Sequence, residues 1–400
     1  MKLIERPRYL DRLIGLRGTP DIKIITGMRR SGKSKLLEAF SQRVKEESPG
    51  QNLIYIDLVD FENESLKEAA ALHRYIENRY REGVENLLFI DEIQLCRGFE
   101  RAVNSLHAKG KYDIYLTGSN AFLLSADLAT LFTGRFIEVH VFPFSFTEYC
   151  AYHSYRNADA DTLFDSYAEE GGLAGSYLYR SERDRKTYIE DVYKTILYRD
   201  LVEKYNVVDR TALERLSEFL LDNIGNVTSP NKVSNTLVSG QVSTSHVTVG
   251  NYIRYLCHAY LFYKVKRFDV KGKRYLTSAE KYYLCDTGIR QAVLGTRNKD
   301  YGRIYENIVC IELLRRGYEV YIGKLYEKEI DFVAKRGGEQ LYIQVSDDIS
   351  RPETFRREYE PLLKIRDAYP KMIVARTKHE TYSYEGISVV DLPRWLKEGE

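Results

Sequence analysis

Residues 27–34 read Gly27-Met28-Arg29-Arg30-Ser31-Gly32-Lys33-Ser34, a complete G-x-x-x-x-G-K-S run between the apolar segment Ile22-Lys23-Ile24-Ile25-Thr26 and the helical pattern Leu36-Leu37-Glu38-Ala39-Phe40. Strand, glycine turn and helix start follow in the order in which such a loop wraps a phosphate. The glycines let backbone N–H groups turn inward around an anion, and the helix N-terminus adds a favourable field. Nucleotide contacts are therefore expected from Gly27, Arg30, Ser31, Gly32, Lys33, Ser34 and Lys35. Lys33 would reach the terminal phosphates and the Ser34 hydroxyl would ligate Mg²⁺.

Short apolar runs then alternate with helical patterns: Leu53 to Leu58, a helix over Leu66 to Tyr80, Leu87 to Ile90 ending in Asp91-Glu92, a helix over Phe99 to Lys109, Asp113 to Thr117, and Phe136 to Val141. Continuous apolar strands separated by helices predict an α/β fold with a parallel sheet covered on both faces, and ligands in such sheets bind at the carboxyl ends of the strands. Asp91 and Glu92 close a strand at that edge. Asp91 is expected to support Mg²⁺, and Glu92 to orient and deprotonate the water that attacks the γ-phosphate. A second acid directly after the first favours hydrolysis over simple nucleotide holding.

Composition excludes several classes. A chain of 400 residues makes about two to four domains. Its formal charge of +2 argues against a wholly basic nucleic-acid protein, so DNA contact has to come from a local patch. Five scattered cysteines, Cys96, Cys150, Cys257, Cys285 and Cys310, form no C-x-x-C pair and indicate neither a zinc ribbon nor a disulfide framework. A reducing cytoplasm fits them. The charged start Met1-Lys2-Leu3-Ile4-Glu5-Arg6 is unlike a signal peptide, and no apolar run is long enough for a membrane span.

The phosphate loop, the strand Phe89-Ile90-Asp91-Glu92-Ile93-Gln94, Leu116-Thr117-Gly118-Ser119-Asn120, and Gly134-Arg135-Phe136 through Pro143-Phe144-Ser145-Phe146-Thr147-Glu148-Tyr149 resemble prokaryotic AAA-family ATP-binding proteins with a C-terminal domain related to restriction endonucleases. The resemblance spans essentially the whole chain. It implies an AAA-type P-loop ATPase core over 1–144, a helical lid over 145–205, a winged-helix domain over 206–295 and a restriction-endonuclease-like α/β domain over 296–400. It also implies ATP rather than GTP, in keeping with the absence of an N-K-x-D segment. Asn120 or Thr117 would be the polar residue that contacts the γ-phosphate or its attacking water; a glycine turn with a helix N-cap at Ser119 or Asn120 accounts for the same residues. Arg135 falls where such proteins carry an arginine finger, acting on a neighbouring subunit of a homo-oligomer. Gly171-Gly172-Leu173-Ala174 lacks the proline of the related adenine-side segment, which leaves Arg6-Pro7-Arg8-Tyr9-Leu10, Tyr9 in particular, to pack on the base.

In the middle of the chain, helices over Leu213 to Leu221, from Ser229-Pro230 to Leu237, and over Ser245 to Ala259 precede strands at Leu261 to Phe268 and Arg274 to Leu276. This order outlines a winged helix-turn-helix. Its hairpin carries Lys264, Lys266, Arg267, Lys271, Lys273 and Arg274 against Asp269, a locally basic wing suited to double-stranded DNA. In the C-terminal quarter, Glu306 and Asp331 match the first two metal-binding acids of the nuclease resemblance. Gln344 and Ser346 replace its third acid and its lysine, so Lys335 or Lys328 would have to substitute, and a catalytically degenerate docking domain is expected. The chain is thus expected to hydrolyse Mg-ATP and to use nucleotide state to control its later domains. The rival readings are a nucleotide-gated interaction or DNA-binding module without hydrolysis, and an ATP-controlled DNA nuclease.

Overall fold

The expected apolar runs become parallel strands in the computed structural model, which describes residues 5–118, 132, 134–153, 160–272, 274–295 and 300–398. Two compact units, Met1–Phe142 and Pro143–Glu400, divide the chain. The first contains α1 (Pro7–Gly15), β1 (Ile22–Thr26), α2 (Lys33–Glu47), β2 (Asn52–Asp57), α3 (Ala69–Glu77), β3 (Asn86–Asp91), α4 (Phe99–Ala108), β4 (Asp113–Thr117) and β5 (Phe136–His140). Its sheet runs β2-β3-β4-β1-β5, with every pair parallel. β1 and β3 are buried along their whole length, which is why their sequences lack alternation. Leu36, Leu37 and Phe40 of α2 pack on one face with Phe89 and Tyr115. Leu72 and Ile76 of α3, with Val103 and Leu106 of α4, cover the other.

The one cation in β1, Lys23, is fully buried. Its ammonium donates to the Thr19 carbonyl at 2.6 Å and the Asp113 carboxylate at 2.5 Å, so a charge inside the sheet is matched by a charge. The chain leaves β1 towards β2 at one edge and leaves the adjacent β4 towards β5 at the other. Connections that diverge from neighbouring strands open a crevice at their carboxyl ends.

The second unit contains α5 (Phe146–His153), α6 (Ala160–Glu170), α7 (Glu182–Thr195) with a π-helical continuation (Ile196–Val202), α8 (Arg210–Asp222), α9 (Pro230–Ser239), α10 (His246–His258), β6 (Phe262–Asp269), β7 (Arg274–Leu284), α11 (Thr287–Leu294), α12 (Tyr301–Arg315), β8 (Glu319–Leu325), β9 (Lys328–Arg336), β10 (Glu339–Ser346), α13 (Pro352–Leu363), β11 (Lys371–Ala375), β12 (Tyr382–Tyr384), β13 (Ile387–Asp391) and α14 (Leu392–Lys397). Asp209, Ser229 and Ser245 accept from the first-turn N–H groups of α8, α9 and α10 and start those helices.

The expected hairpin and lid helices are embedded in this unit. The hairpin expected to be a wing is the edge of an eight-stranded sheet ordered β12-β13-β11-β10-β9-β8-β6-β7. β6 pairs in parallel with β8 from Lys266↔Tyr321 to Asp269↔Lys324, so the expected boundary at 295/296 cuts a continuous sheet. The expected lid helices α5 and α6 insert Phe146, Tyr149, Phe164 and Tyr167 into one core with Tyr305, Val309, Leu313 and Trp395. Gly171 and Gly172 pack tightly: a Cβ at Gly171 would lie 1.9 Å from Asp286 Oδ1, and one at Gly172 would lie 2.3 Å from the Phe144 carbonyl oxygen. Close backbone approach, not an adenine contact, accounts for that pair.

Candidate nucleotide site and a second acid cluster

The phosphate loop joins the buried end of β1 to the first turn of α2. Gly27 (φ 138°) and Gly32 (φ 98°) take the left-handed backbone that lets the loop curl, and Arg30 takes it at φ 67° despite its side chain. A Cβ at Gly27 would lie 2.1 Å from the Val141 carbonyl oxygen, so only glycine fits. No side chain caps α2, which leaves its first-turn N–H groups for an anion. Ser31 Oγ is buried with no hydrogen-bond partner among the described residues. Lys33, buried, donates to the Gly27 and Met28 carbonyls at 3.0 Å each, inside the loop it would serve.

Opposite the loop, the Thr117 hydroxyl donates to Asp91 and accepts from the Glu92 N–H at 3.0 Å. Thr117 thus ties the end of β4 to both acids, and its hydroxyl is committed to them. Burial pushes the Asp91 carboxyl up, the charges of Glu92 and Asp57 add to this, and the hydroxyls of Thr117 and Ser34 oppose it. The Ser34 hydroxyl thus acts on the Asp91 carboxylate, and the two are hard oxygen donors of the kind that fit Mg²⁺. Bound there, Mg²⁺ would neutralise charge on the β- and γ-phosphate oxygens. Glu92 has left-handed backbone (φ 53°, ψ 49°), and its carboxylate accepts from the Gln94 amide.

Sequence reasoning missed His140. Its Nδ1 lies 3.1 Å from Thr26 Oγ1, and burial beside the Lys33 charge pulls its pKa down to about 3, which keeps it neutral. Its place two residues before the Phe142 turn gave no signal in the sequence.

Other expected contacts do not converge on the loop. Tyr9 is buried beneath the Arg6 guanidinium, 4.5 Å from its ring centre, and its hydroxyl accepts from the Phe142 N–H at 3.2 Å. No open ring face is left for a base. Arg6 in turn donates to the Ser31 and Phe142 carbonyls at 3.0 and 2.9 Å, clamping α1 to the loop. The Lys35 side chain pairs with Glu38 at 2.6 Å on the exposed face of α2. Arg135 is exposed, and its carbonyl accepts from the Ile22 N–H at the amino-terminal end of β1. The strand between it and the loop spans roughly 16 Å, so Arg135 cannot reach this chain's own phosphates. Asn120 and Ser119 lie outside the described residues.

In the second unit, Glu306 of α12 and Asp331 of β9 do meet, but around a lysine. Lys281 of β7 places its ammonium 2.8 Å from Glu306 Oε1 and 2.7 Å from Glu329 Oε1, and the Tyr283 hydroxyl donates to the same Glu306 oxygen at 2.6 Å. Burial, then the Glu306 charge, push the Asp331 carboxyl well above its usual range, opposed by Lys281 and the Val345 N–H. Gln344 accepts from the Asp331 N–H at 2.7 Å and donates to Glu358 at 3.0 Å. Among the described residues no group of three or more His, Cys, Asp or Glu side chains is arranged to hold a metal, and Glu306 lies against the Lys281 ammonium. Lys335 does not substitute: its ammonium sits 3.6 Å from the Phe268 ring centre. Lys281 escaped notice because the second wing strand was read as ending at Leu276; a lysine entering the run Tyr282-Tyr283-Leu284-Cys285 was the available signal.

Residues 19–150 match the AAA domain, and residues 161–300 match a domain of unknown function, DUF8612. With the parallel sheet and the loop, this makes residues 19–150 a P-loop domain of the AAA type. An uncharacterized protein of Haemophilus influenzae is 38% identical over 401 residues, covering 98% of both chains, and the chain belongs to the family of that protein. Uncharacterized protein MJ1544 of Methanocaldococcus jannaschii is 26% identical over 98% of this chain and 89% of its own. Among solved structures, AMPPCP-bound DnaA from Aquifex aeolicus overlaps 64% of this chain and 89% of its own at 18% identity, with a TM-score of 0.33.

Proposed function

We propose that the first unit binds and slowly hydrolyses Mg-ATP, and that nucleotide state governs what the second unit binds. The observation that carries this is the pair of contacts by which Thr117 ties Asp91 to Glu92, with the Ser34 hydroxyl of the phosphate loop acting on the Asp91 carboxylate. In this reading Lys33 leaves the loop carbonyls for the terminal phosphates, Ser31 and the uncapped turn of α2 donate to phosphate oxygens, and Ser34 and Asp91 hold the metal. Glu92 takes the proton of the attacking water. Arg135, at the far edge of the sheet, acts on the nucleotide of a second copy, and Asn120 keeps its expected role beside the γ-phosphate. The five cysteines form no disulfide among the described residues, which supports the cytoplasm as the compartment.

For the second unit we propose a winged-helix-like arrangement of α8, α9 and α10 with the β6–β7 hairpin, joined to a restriction-endonuclease-like sheet, with double-stranded DNA as the ligand. The exposed Lys266 and the Lys264 and Lys271 side chains of the hairpin support phosphate contact. Lys264 is partly neutralised by Glu280 at 3.2 Å.

The test is Mg²⁺-dependent phosphate release from ATP by wild type and Glu92→Gln, with and without duplex DNA. Loss of a general base is expected to lower turnover by about 10²-fold or more while ATP binding persists. Equal turnover by the two proteins removes Glu92 as the base. Binding with no hydrolysis in either makes the chain a nucleotide-gated interaction protein.

A further inference from the structure

Lys281 is a buried cation of the second unit, its side chain 5% exposed. It reaches the cluster from β7, at the edge of the sheet and three places from β9. Two carboxylate oxygens from separate elements, Glu306 on α12 and Glu329 on β9, lie within 2.8 Å of the one nitrogen. Asp331 lies two residues beyond Glu329 on β9, which returns it to the same face of the strand. The remaining acceptors are spoken for by the protein itself: Tyr283 donates to Glu306, and the Val345 N–H donates to Asp331 at 2.8 Å. Gln344, where a third acid would add charge, is neutral and spans from the Asp331 N–H to Glu358.

Acids gathered at this density need a compensating cation, and the chain supplies one covalently attached. We propose that the Lys281 ammonium is the resident cation of this site, standing where a divalent metal would otherwise bridge Glu306 and Asp331, so that the wild-type second unit is closed to metal. The inference is independent of the phosphate-loop reading. It gives the unit a fixed, metal-free acid cluster and assigns it to binding, not to metal-dependent phosphodiester cleavage.

The experiment titrates Mn²⁺ into nucleotide-free, full-length wild type, Lys281→Met and Lys281→Met/Asp331→Asn, following bound Mn²⁺ by electron paramagnetic resonance. Lys281→Met is expected to bind one Mn²⁺ more than wild type, at least tenfold tighter than any wild-type binding at this site, and the added Asp331→Asn is expected to abolish it. Should Lys281→Met be poorly folded, Mn²⁺ is expected to raise its Tm and to leave the double variant unmoved. The proposal is overturned if neither binding nor Tm responds to Mn²⁺ in Lys281→Met. It is equally overturned if wild type binds Mn²⁺ in a manner lost on Asp331→Asn, or cleaves duplex DNA with Mn²⁺ in a manner lost on Glu306→Gln.

Discussion

Asp286 shows how far a single buried carboxylate shapes this chain. It accepts N–H bonds from Gly172 at 2.5 Å and Gly288 at 3.0 Å, and burial pushes its pKa up to about 6 in spite of them and of the Arg315 charge. The folded value lies above the unfolded one, about 3.9. Folded protein therefore holds the proton more tightly between these values, and the group costs stability as pH rises from about 4 to about 6. Relative to Asp286→Asn, wild type is expected to lose up to about 3 kcal/mol across that window and nothing further above it. Urea denaturation of both proteins at intervals from pH 4 to pH 8 measures this; a flat difference would mean that the carboxylate is not desolvated. At this scale the backbone of the phosphate loop was legible in the motif, as at Gly27 and Gly32. It was not legible where a role depends on distant contacts: Tyr9 is covered by Arg6, and Lys281 meets Glu306 only through the sheet.

At the scale of elements, apolar runs with helices between them gave β1 to β5 nearly to the residue, because strands buried on both faces need unbroken hydrophobicity. Lys23 interrupts that rule in β1, and Asp113 at the start of β4 answers it with a contact 90 residues away in sequence. Asp113 also accepts from the Gly18 N–H at 2.9 Å and the Tyr115 hydroxyl at 2.9 Å, so it fixes the entry to β1 as well as the charge. Asp113→Asn is expected to lower stability by about 3–5 kcal/mol, because it leaves a buried ammonium uncompensated. Lys23→Met/Asp113→Leu, which removes both charges, is expected to recover much of that loss. Chemical denaturation of the two variants and wild type checks both; equal losses would show that the hydrogen bonds of Asp113, rather than its charge, hold the strand ends.

Across the whole molecule, the chain divides at Phe142/Pro143, close to the expected boundary at 144/145, whereas β6 and β8 pair across the expected boundary at 295/296. Three helices followed by a basic hairpin look the same in sequence whether the hairpin is a free wing or the edge of a larger sheet, because the pairing of β6 with β8 is carried by backbone hydrogen bonds. The consequence is a difference in what can fold alone. A fragment of residues 296–400 would leave the β8 edge unpaired and strip Val265, Tyr283 and the α5–α6 aromatic residues from the core that holds Ile322, Phe332 and Val309. An unpaired edge over an uncovered apolar face drives aggregation. Fragment 296–400 is therefore expected to be insoluble or to melt without cooperativity, while fragment 143–400 is expected to be a soluble monomer with a single cooperative thermal transition. Size-exclusion chromatography and circular dichroism of the two fragments decide the matter. A cooperative, monomeric 296–400 would mean that β6 and β7 are an accessory to the sheet, free to open as a wing on DNA, and the cluster around Lys281 would then be a contact that opening could break.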